Sequence, residues 1–321
     1  MMNLEPFEAR RAALIYNPVA RGLSRHPHSL QRTIAVLARQ GIQATTAPTT
    51  GPGSATTQAR KQIEAGCDLI IVAGGDGTIN EAANGMLNTG VPLAILPGGT
   101  ANVLAHEIQI AGPMDRAAAR LAQWVPRRVS TGRLQLSSGA PRSFLCMAGA
   151  GLDAEIVSRL NLDLKAAAGK LAYYVAGFSH VFRPLREFEV LVDGRGFEAS
   201  FALISRVRNY GGDLEIARGA SLLSDDFEVV LFRGTASLRY LRYLLGVALG
   251  RAHRMSGCTI VHGRSAVCRQ PEGSNIYVQV DGELAGRLPV TAEIASHALT
   301  LLLPAEYLAR EESLAAVRAC A

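Results

Sequence analysis

The stretch Asp68–Ala73, apolar after its first residue, runs straight into Gly74-Gly75-Asp76-Gly77-Thr78-Ile79-Asn80-Glu81. A short continuous apolar run reads as a strand covered on both faces, the kind found in parallel sheets. The pattern returns at Leu93–Leu96, followed by Pro97-Gly98-Gly99-Thr100-Ala101-Asn102 and a helix from about Ala101. Two strand-to-helix turns of one design leave few folds open. Their strands run parallel with right-handed crossovers, and both turns fall on the carboxyl edge of one sheet.

The flanking pattern agrees. Ala12–Tyr16 is an apolar run that ends in Asn17-Pro18, and Leu30–Gln40 has helical spacing and stops at Gly41. Ile42–Ala47 reads as a second strand, and Ser54 is expected to cap a helix running to Ala65, before Gly66. From Arg127 onward the texture changes to strand-like stretches at Arg133–Ser137, Phe144–Ala148, Phe188–Val192, Phe197–Ile204, Phe227–Phe232, Ala266–Arg269, Ile276–Val280 and Leu299–Leu303. Asp193-Gly194 and Asp281-Gly282 are hairpin-turn dipeptides. With Pro126 as the boundary, residues 1–126 form a parallel α/β domain and residues 127–304 a mostly antiparallel one. Helical segments are expected near Lys165–Phe182 and Leu238–Gly250, and a C-terminal helix within 305–321 packs back on the first domain.

A chain of 321 residues, 48% apolar and 19% charged, suits two domains and is too apolar for disorder. The net charge of +6 is carried almost wholly by arginine, since lysine stands only at Lys61, Lys165 and Lys170. Such an excess suits phosphates, anionic lipid or nucleic acid and chooses none of them. The arginines are dispersed rather than interleaved with aromatics, so no nucleic-acid partner is expected. Runs such as Leu244–Leu249 fall far short of the ~18–20 residues that cross hydrocarbon. Glu5, Glu8, Arg10 and Arg11 stand where a signal peptide needs apolar residues. Cys67, Cys146, Cys258, Cys268 and Cys320 are odd in number and lack Cys-x-x-Cys spacing. The expectation is a cytoplasmic protein with reduced thiols. The seven histidines are scattered and suggest no metal centre.

Glycines in the first loop let backbone approach a phosphate, and the helix N-terminus supplies free N–H groups. Asp76 is odd there, because a carboxylate repels phosphate; a Mg²⁺ ion or a proton-transfer role would resolve the conflict. The plainer reading is a tight Asp-Gly turn. In the second loop Thr100 either donates to a phosphate or caps the helix. Gly75-x-Gly77-x-x-Asn80 lacks the third glycine of a dinucleotide fingerprint, and no Gly-x-x-x-x-Gly-Lys-Ser/Thr loop exists. Gly149-x-Gly151-x-x-Ala154 matches in letters, but no strand ending in an acidic residue follows at the required distance.

Asn17-Pro18 with Gly22, then Gly74–Glu81, Pro97–Asn102, Gly149-Ala150-Gly151-Leu152-Asp153-Ala154, Lys165 to Tyr173 and Asp281-Gly282-Glu283 come in an order that resembles the diacylglycerol kinase catalytic-domain family. That family includes soluble bacterial lipid kinases and the sphingosine and ceramide kinases. The resemblance spans most of the chain. It implies an α/β nucleotide-binding domain with a parallel sheet, followed by a mostly antiparallel β-sandwich, with the active site in the cleft between them. It implies ATP and Mg²⁺ as cofactors and a lipid hydroxyl as phosphoryl acceptor. Nucleotide contacts are implied at Asn17, Thr49, Gly74, Gly75, Asp76, Gly77, Thr78, Ile79, Asn80, Gly99 and Thr100. Glu283 matches the proton acceptor, with Asp281 beside it and Asp76 in the same cleft, and Asp153 matches an acidic position near the lipid headgroup. A structural Mg²⁺ site is implied at Asp225, with backbone oxygens of Leu222 and Phe227, although Asp226 stands where the family has glycine.

On the residues alone, Asp281-Gly282 reads first as a hairpin turn. A lipid substrate implies work at a membrane surface, with the protein peripheral on its inner face. Arg239–Arg254 sets Arg239, Arg242, Arg251, His253 and Arg254 around Leu241, Leu244, Leu245, Val247 and Leu249. That fits a surface-lying basic helix or an ordinary core-facing one. A homodimer is compatible with this reading. The rivals are a small-molecule kinase resembling NAD kinase and a silent lipid- or nucleotide-binding regulator. Pro97–Asn102 and Asp281-Gly282-Glu283 argue against the first, and Asp76, Thr100 and Glu283 against the second.

Overall fold

The computed structural model describes residues 11–26, 28–110, 112–137, 139–152, 154, 185–211, 214–236, 242–243, 246–247 and 250–319. They divide into two compact units, Met1–Val129 with His297–Ala321, and Ser130–Ser296. Asp153 and the expected helix Lys165–Phe182 lie outside the described residues, as does most of Leu238–Gly250.

The first unit alternates strand and helix: β1 (Ala12–Tyr16), α1 (Arg21–Arg25), α2 (Ser29–Arg39), β2 (Ala44–Pro48), α3 (Ser54–Glu64), β3 (Leu69–Gly74), α4 (Asp76–Met86), β4 (Pro92–Pro97), α5 (Val103–Glu107) and α6 (Met114–Ala119). β1 pairs in parallel with β2 and β3, and β3 with β4. Every residue of β3 and of β4 is buried, which is why both read as unbroken apolar runs. The second strand begins two residues later than expected, at Ala44. Ser54 is not a helix cap: Gly53 holds that place, and the Ser54 hydroxyl accepts the N–H groups of Thr50 and Gly51 at 3.1 and 3.2 Å. The hydroxyl closes the turn ahead of the helix instead.

β4 would be an open edge within this unit were it not joined in parallel by Thr300 and Leu301 of the last strand, Val290–Leu303. Leu299–Leu303, expected in the second domain, therefore belongs to the first unit. A fully apolar strand needs a partner on both sides, and the chain's end supplies the missing one. The helix that follows, Ala305–Ala319, buries Tyr307, Leu308 and Glu311 in the same unit. Its Tyr307 hydroxyl donates to Glu107 Oε1 at 3.5 Å.

The second unit is built from β5 (Val125–Leu136), β6 (Arg142–Phe144), β7 (Met147–Gly151), β8 (Phe188–Val192), β9 (Arg195–Ala199), β10 (Phe201–Ser205), β11 (Asn209–Tyr210), β12 (Leu214–Glu215), β13 (Phe227–Phe232), β14 (Cys258–Gly263), β15 (Ser265–Arg269), β16 (Tyr277–Val280), β17 (Glu283–Arg287) and the first part of β18 (Val290–Leu303). One sheet runs β18-β15-β8-β9, and the other β14-β13-β10-β7-β16-β17. Neighbouring strands along both orders pair antiparallel. Their inner faces share one apolar core that includes Leu134, Phe144, Phe188, Ile204, Phe227, Leu231 and Val278.

Pro126 lies inside β5 rather than at a linker, as proline can near the start of a strand. Phe197–Ile204 is two strands. The chain changes sheets at Ser200, whose N–H donates to the Phe232 carbonyl at 2.9 Å and whose hydroxyl donates to that of Gly234 at 2.6 Å. β14 carries no continuous apolar run and gave no signal.

Both Asp-Gly dipeptides are the hairpin turns expected. Asp193 and Gly194 have φ of 44° and 81°, and Asp281 and Gly282 have 46° and 81°. That left-handed pair matches the twist of the flanking strands.

Candidate active site

Because the strands of the first unit are parallel, their carboxyl ends deliver three loops to one edge. Asn17 N–H donates to the Ala73 carbonyl at 3.1 Å, Gly98 N–H to that of Gly74 at 2.9 Å, and Gly22 N–H to that of Gly98 at 2.9 Å. Thr49 N–H donates to the Tyr16 carbonyl at 2.8 Å and so stands at the same edge. The two glycine loops touch backbone to backbone. A Cβ on Gly99 would lie 2.4 Å from the Gly75 Cα. Glycine is needed there for mutual packing as well as for access to a ligand.

Gly75 caps α4 without a side chain, leaving the first N–H groups of that helix directed at the loop edge. Asn17 Nδ2 lies 3.5 Å from Thr78 Oγ1, which joins the first and second loops. Thr100 is exposed at the tip of the third. It is not a helix cap, because α5 starts at Val103 behind Asn102. Ile79 and Asn80 are buried and act through packing, with Asn80 accepting from Asn84 Nδ2 at 3.0 Å.

The carboxylate of Asp76 finds a partner in the other glycine loop. Its carboxylate accepts the Leu104 N–H at 3.2 Å and so caps α5, the helix opened by the other glycine loop. Burial lifts its carboxyl above the ordinary carboxylate range, and the N–H groups of Val103, Leu104 and Asp76 itself oppose the lift. Asp76 ties the two loops together. Asn102 was missed as a site residue. At φ 47° it accepts the Gly99 N–H at 2.8 Å and donates to the Gly99 carbonyl at 3.1 Å, closing the loop on itself. An asparagine three residues after a Gly-Gly pair was the available signal.

In the second unit the two neighbouring acids differ. Asp281 is engaged: its carboxylate accepts the N–H groups of Leu145, Cys146 and Met147 at 3.0, 3.0 and 2.8 Å. This is why Phe144–Ala148 splits between β6 and β7, since the chain there bonds a side chain instead of a strand. The Asp281 carboxylate is thus taken up in holding the turn between β6 and β7. Glu283 is half exposed (51%) and pairs with Arg142 Nη2 at 3.2 Å. Asp193, at the other hairpin, similarly takes the N–H groups of Arg264 and Ser265 at 3.1 and 2.9 Å. Gly149 and Gly151 lie on β7, whose neighbours β10 and β16 are antiparallel, and not in a parallel β-α-β unit, so the dinucleotide match is accidental.

The structure brings the residues expected to hold a metal together, with an arginine among them. Leu222, Asp225 and Phe227 frame a loop entered by the buried Arg206. Its Nη2 donates to the Leu222 carbonyl at 3.0 Å, the oxygen assigned to the ion. Asp225 accepts a hydrogen bond from Ser130 Oγ. A divalent ion about 4 Å from a guanidinium would meet a repulsion of roughly 8 kcal/mol at an effective dielectric near 20. The residues present do not fit a Mg²⁺ ion, and among the described residues no group of three or more His, Cys, Asp or Glu could hold a metal. A lone arginine directly after the apolar strand Phe201–Ser205 was the signal.

The described thiols are free. Burial pushes Cys268 up to about 12. Burial and Glu228 push Cys258 to about 11, so neither is a thiolate nucleophile at neutral pH.

Two family models match the chain in succession: the diacylglycerol kinase catalytic domain over residues 11–134, and the YegS C-terminal NAD kinase beta sandwich-like domain over residues 146–303. The chain is similar to the diacylglycerol kinase catalytic-domain family along both of its parts. A diacylglycerol kinase of Bacillus subtilis (strain 168) is 29% identical over 289 residues, 87% of this chain and 92% of that one. One from Mycobacterium tuberculosis is 26% identical over 75% of this chain and 79% of its own length. Two crystal structures from Bacillus anthracis str. Sterne, the second described as a diacylglycerol kinase, superpose with TM-scores of 0.80 and 0.74 at 22% identity. They cover 96% and 94% of this chain and 99% of each of theirs, which establishes the shared fold.

Proposed function

We propose that this protein is a lipid kinase, transferring the γ-phosphoryl group of MgATP to a hydroxyl of a diacylglycerol-like membrane lipid. The observation that carries this reading is the pair of glycine loops locked together on one sheet edge, with the glycine-capped N-terminus of α4 between them. Such an edge suits a phosphate chain, because backbone N–H groups and a helix dipole face it with no side chain in the way. Thr100, Thr78 and Asn17 add side-chain donors beside it. Mg²⁺ arrives with the nucleotide and supplies charge neutralisation for the transferring group.

Of the two neighbouring acids, Glu283 is the better suited to orient or accept the proton of an attacking hydroxyl, because its partner is the exposed Arg142, whereas Asp281 already serves three backbone N–H groups. A peripheral position on an anionic membrane is supported by the exposed Arg242, Arg251 and Arg254. Tyr243 and Val247, by contrast, are buried, as in a core-facing segment. Among the described residues no helix is long and apolar enough to cross a membrane.

The test is labelled ATP incubated with the protein and a mixed lipid extract in anionic vesicles, with NAD⁺ as acceptor in a parallel reaction. A labelled lipid supports the proposal. Label on NAD⁺ alone, or nucleotide binding with no labelled product, would overturn it.

A further inference from the structure

Arg206 is fully buried at the end of β10, where a charge is costly unless it is compensated on every side. Its compensation comes from backbone oxygens. Nη1 donates to the Asp226 carbonyl, and Nη2 to those of Ser130, Leu222 and Ser224 at 3.3, 3.0 and 2.7 Å. Three of these four oxygens come from the single loop Leu222–Asp226, which leads into β13. Carbonyl oxygens converging from one loop are the donor set of a hard divalent cation. A guanidinium, with five N–H donors and no acceptor, suits the same oxygens. The exposed Arg264 Nη1 donates to the Asp225 carbonyl at 2.8 Å, so a second arginine holds the same loop. The Asp226 side chain turns away from Arg206, its Oδ2 lying 2.9 Å from His262 Nδ1.

We propose that Arg206 is the built-in cation of this loop and stands in for the structural Mg²⁺ that the family resemblance implies, so that the second unit keeps its fold without a divalent metal. A guanidinium stays charged across the working pH range and cannot dissociate. The loop is therefore indifferent to chelators. The inference concerns folding, not phosphoryl transfer, and is independent of which lipid is phosphorylated.

The experiment is thermal unfolding of the nucleotide-free full chain in EDTA, in MgCl₂ and in NaCl of matched ionic strength, alongside its divalent-metal content after purification without chelator. The expected result is a Tm that differs by less than about 1 °C between EDTA and Mg²⁺, because a ligand that does not bind the native state cannot shift it. Metal should be well below one equivalent per chain. A Tm that falls by several degrees in EDTA and is restored by Mg²⁺ but not by NaCl would overturn the proposal, as would one tightly held equivalent of divalent metal. Arg206→Met should lower the Tm by about 5 °C or more, because it leaves inward-facing carbonyls without a donor. An Arg206→Met protein that melts with the wild type would equally refute it. If that variant fails to fold, the wild-type comparison of EDTA against Mg²⁺ still decides.

Discussion

Replacing Gly99 by alanine places a Cβ 2.4 Å from the Gly75 Cα, 3.2 Å from the Gly75 nitrogen and 3.0 Å from Asn102 Oδ1. Two of the three obstacles are backbone, and the third closes the loop by accepting the Gly99 N–H at 2.8 Å. Nothing here yields by a side-chain rotation, so the two glycine loops must separate. Forced overpacking of this kind costs typically about 1–3 kcal/mol. That corresponds to a Tm lower by roughly 2–4 °C for each kcal/mol in a body of 150–250 residues. The reverse substitution, Gly75→Ala, is the control, because its nearest new neighbour is the Gly99 Cα at 3.4 Å, an ordinary contact. Gly75 is also at φ −86°, a conformation any residue adopts. It should lose under about 1 kcal/mol of stability, for alanine is a poorer N-cap than glycine. Yet it puts a methyl group where the phosphate approaches. Calorimetry and nucleotide titration separate the two effects. Gly99→Ala should lose both stability and affinity, whereas Gly75→Ala should stay folded and bind nucleotide at least about tenfold more weakly, or ~1.4 kcal/mol. A Gly99→Ala protein as stable as wild type, with unchanged affinity, would refute the locked-loop reasoning.

Asp281→Ala should cost at least about 3 kcal/mol in urea unfolding, because three backbone N–H groups lose a charged acceptor together. A loss under about 1 kcal/mol would show that those bonds do not hold the β6–β7 corner. Glu283→Gln removes a half-exposed surface pair worth under about 1 kcal/mol, so the fold and ATP affinity should survive. Its kcat should fall by about 10²–10⁴-fold, and an unchanged kcat would remove Glu283 from the chemistry. Asp76 has its folded-state pKa raised, so it favours the fold only at pH below the ordinary carboxylate value, and that contribution disappears as pH rises through the raised value. Asp76→Asn keeps an acceptor for the Leu104 N–H and should therefore be at least as stable as wild type at pH 7, the difference shrinking towards pH ~4. A neutral-pH loss beyond about 1 kcal/mol in denaturant titrations would contradict this.

The parallel α/β pattern of residues 12–107, the shared edge of the two glycine loops and both Asp-Gly hairpins were legible from residue order. Each rests on a local rule: unbroken apolar runs for doubly covered strands, glycine where backbone must approach backbone, and Asp-Gly where two successive residues take positive φ. β14 escaped because its residues are mixed and mostly half-buried or exposed, and the backbone pairing that holds it to β13 leaves no mark on side-chain type.

Tertiary structure decided what the charged residues do. Asp76, Asp193 and Asp281 look alike in sequence, each an aspartate before glycine. Which N–H groups they reach depends on segments 28, 71 and 136 positions away, α5, Arg264 and Leu145. The same holds for Leu299–Leu303, which pairs with β4 across some two hundred positions, and for Arg206, whose cage is made of carbonyl oxygens. Every residue carries such an oxygen, so residue type says nothing of where it points. Only the folded path of Ser130 and Leu222–Asp226 turns four of them onto one guanidinium.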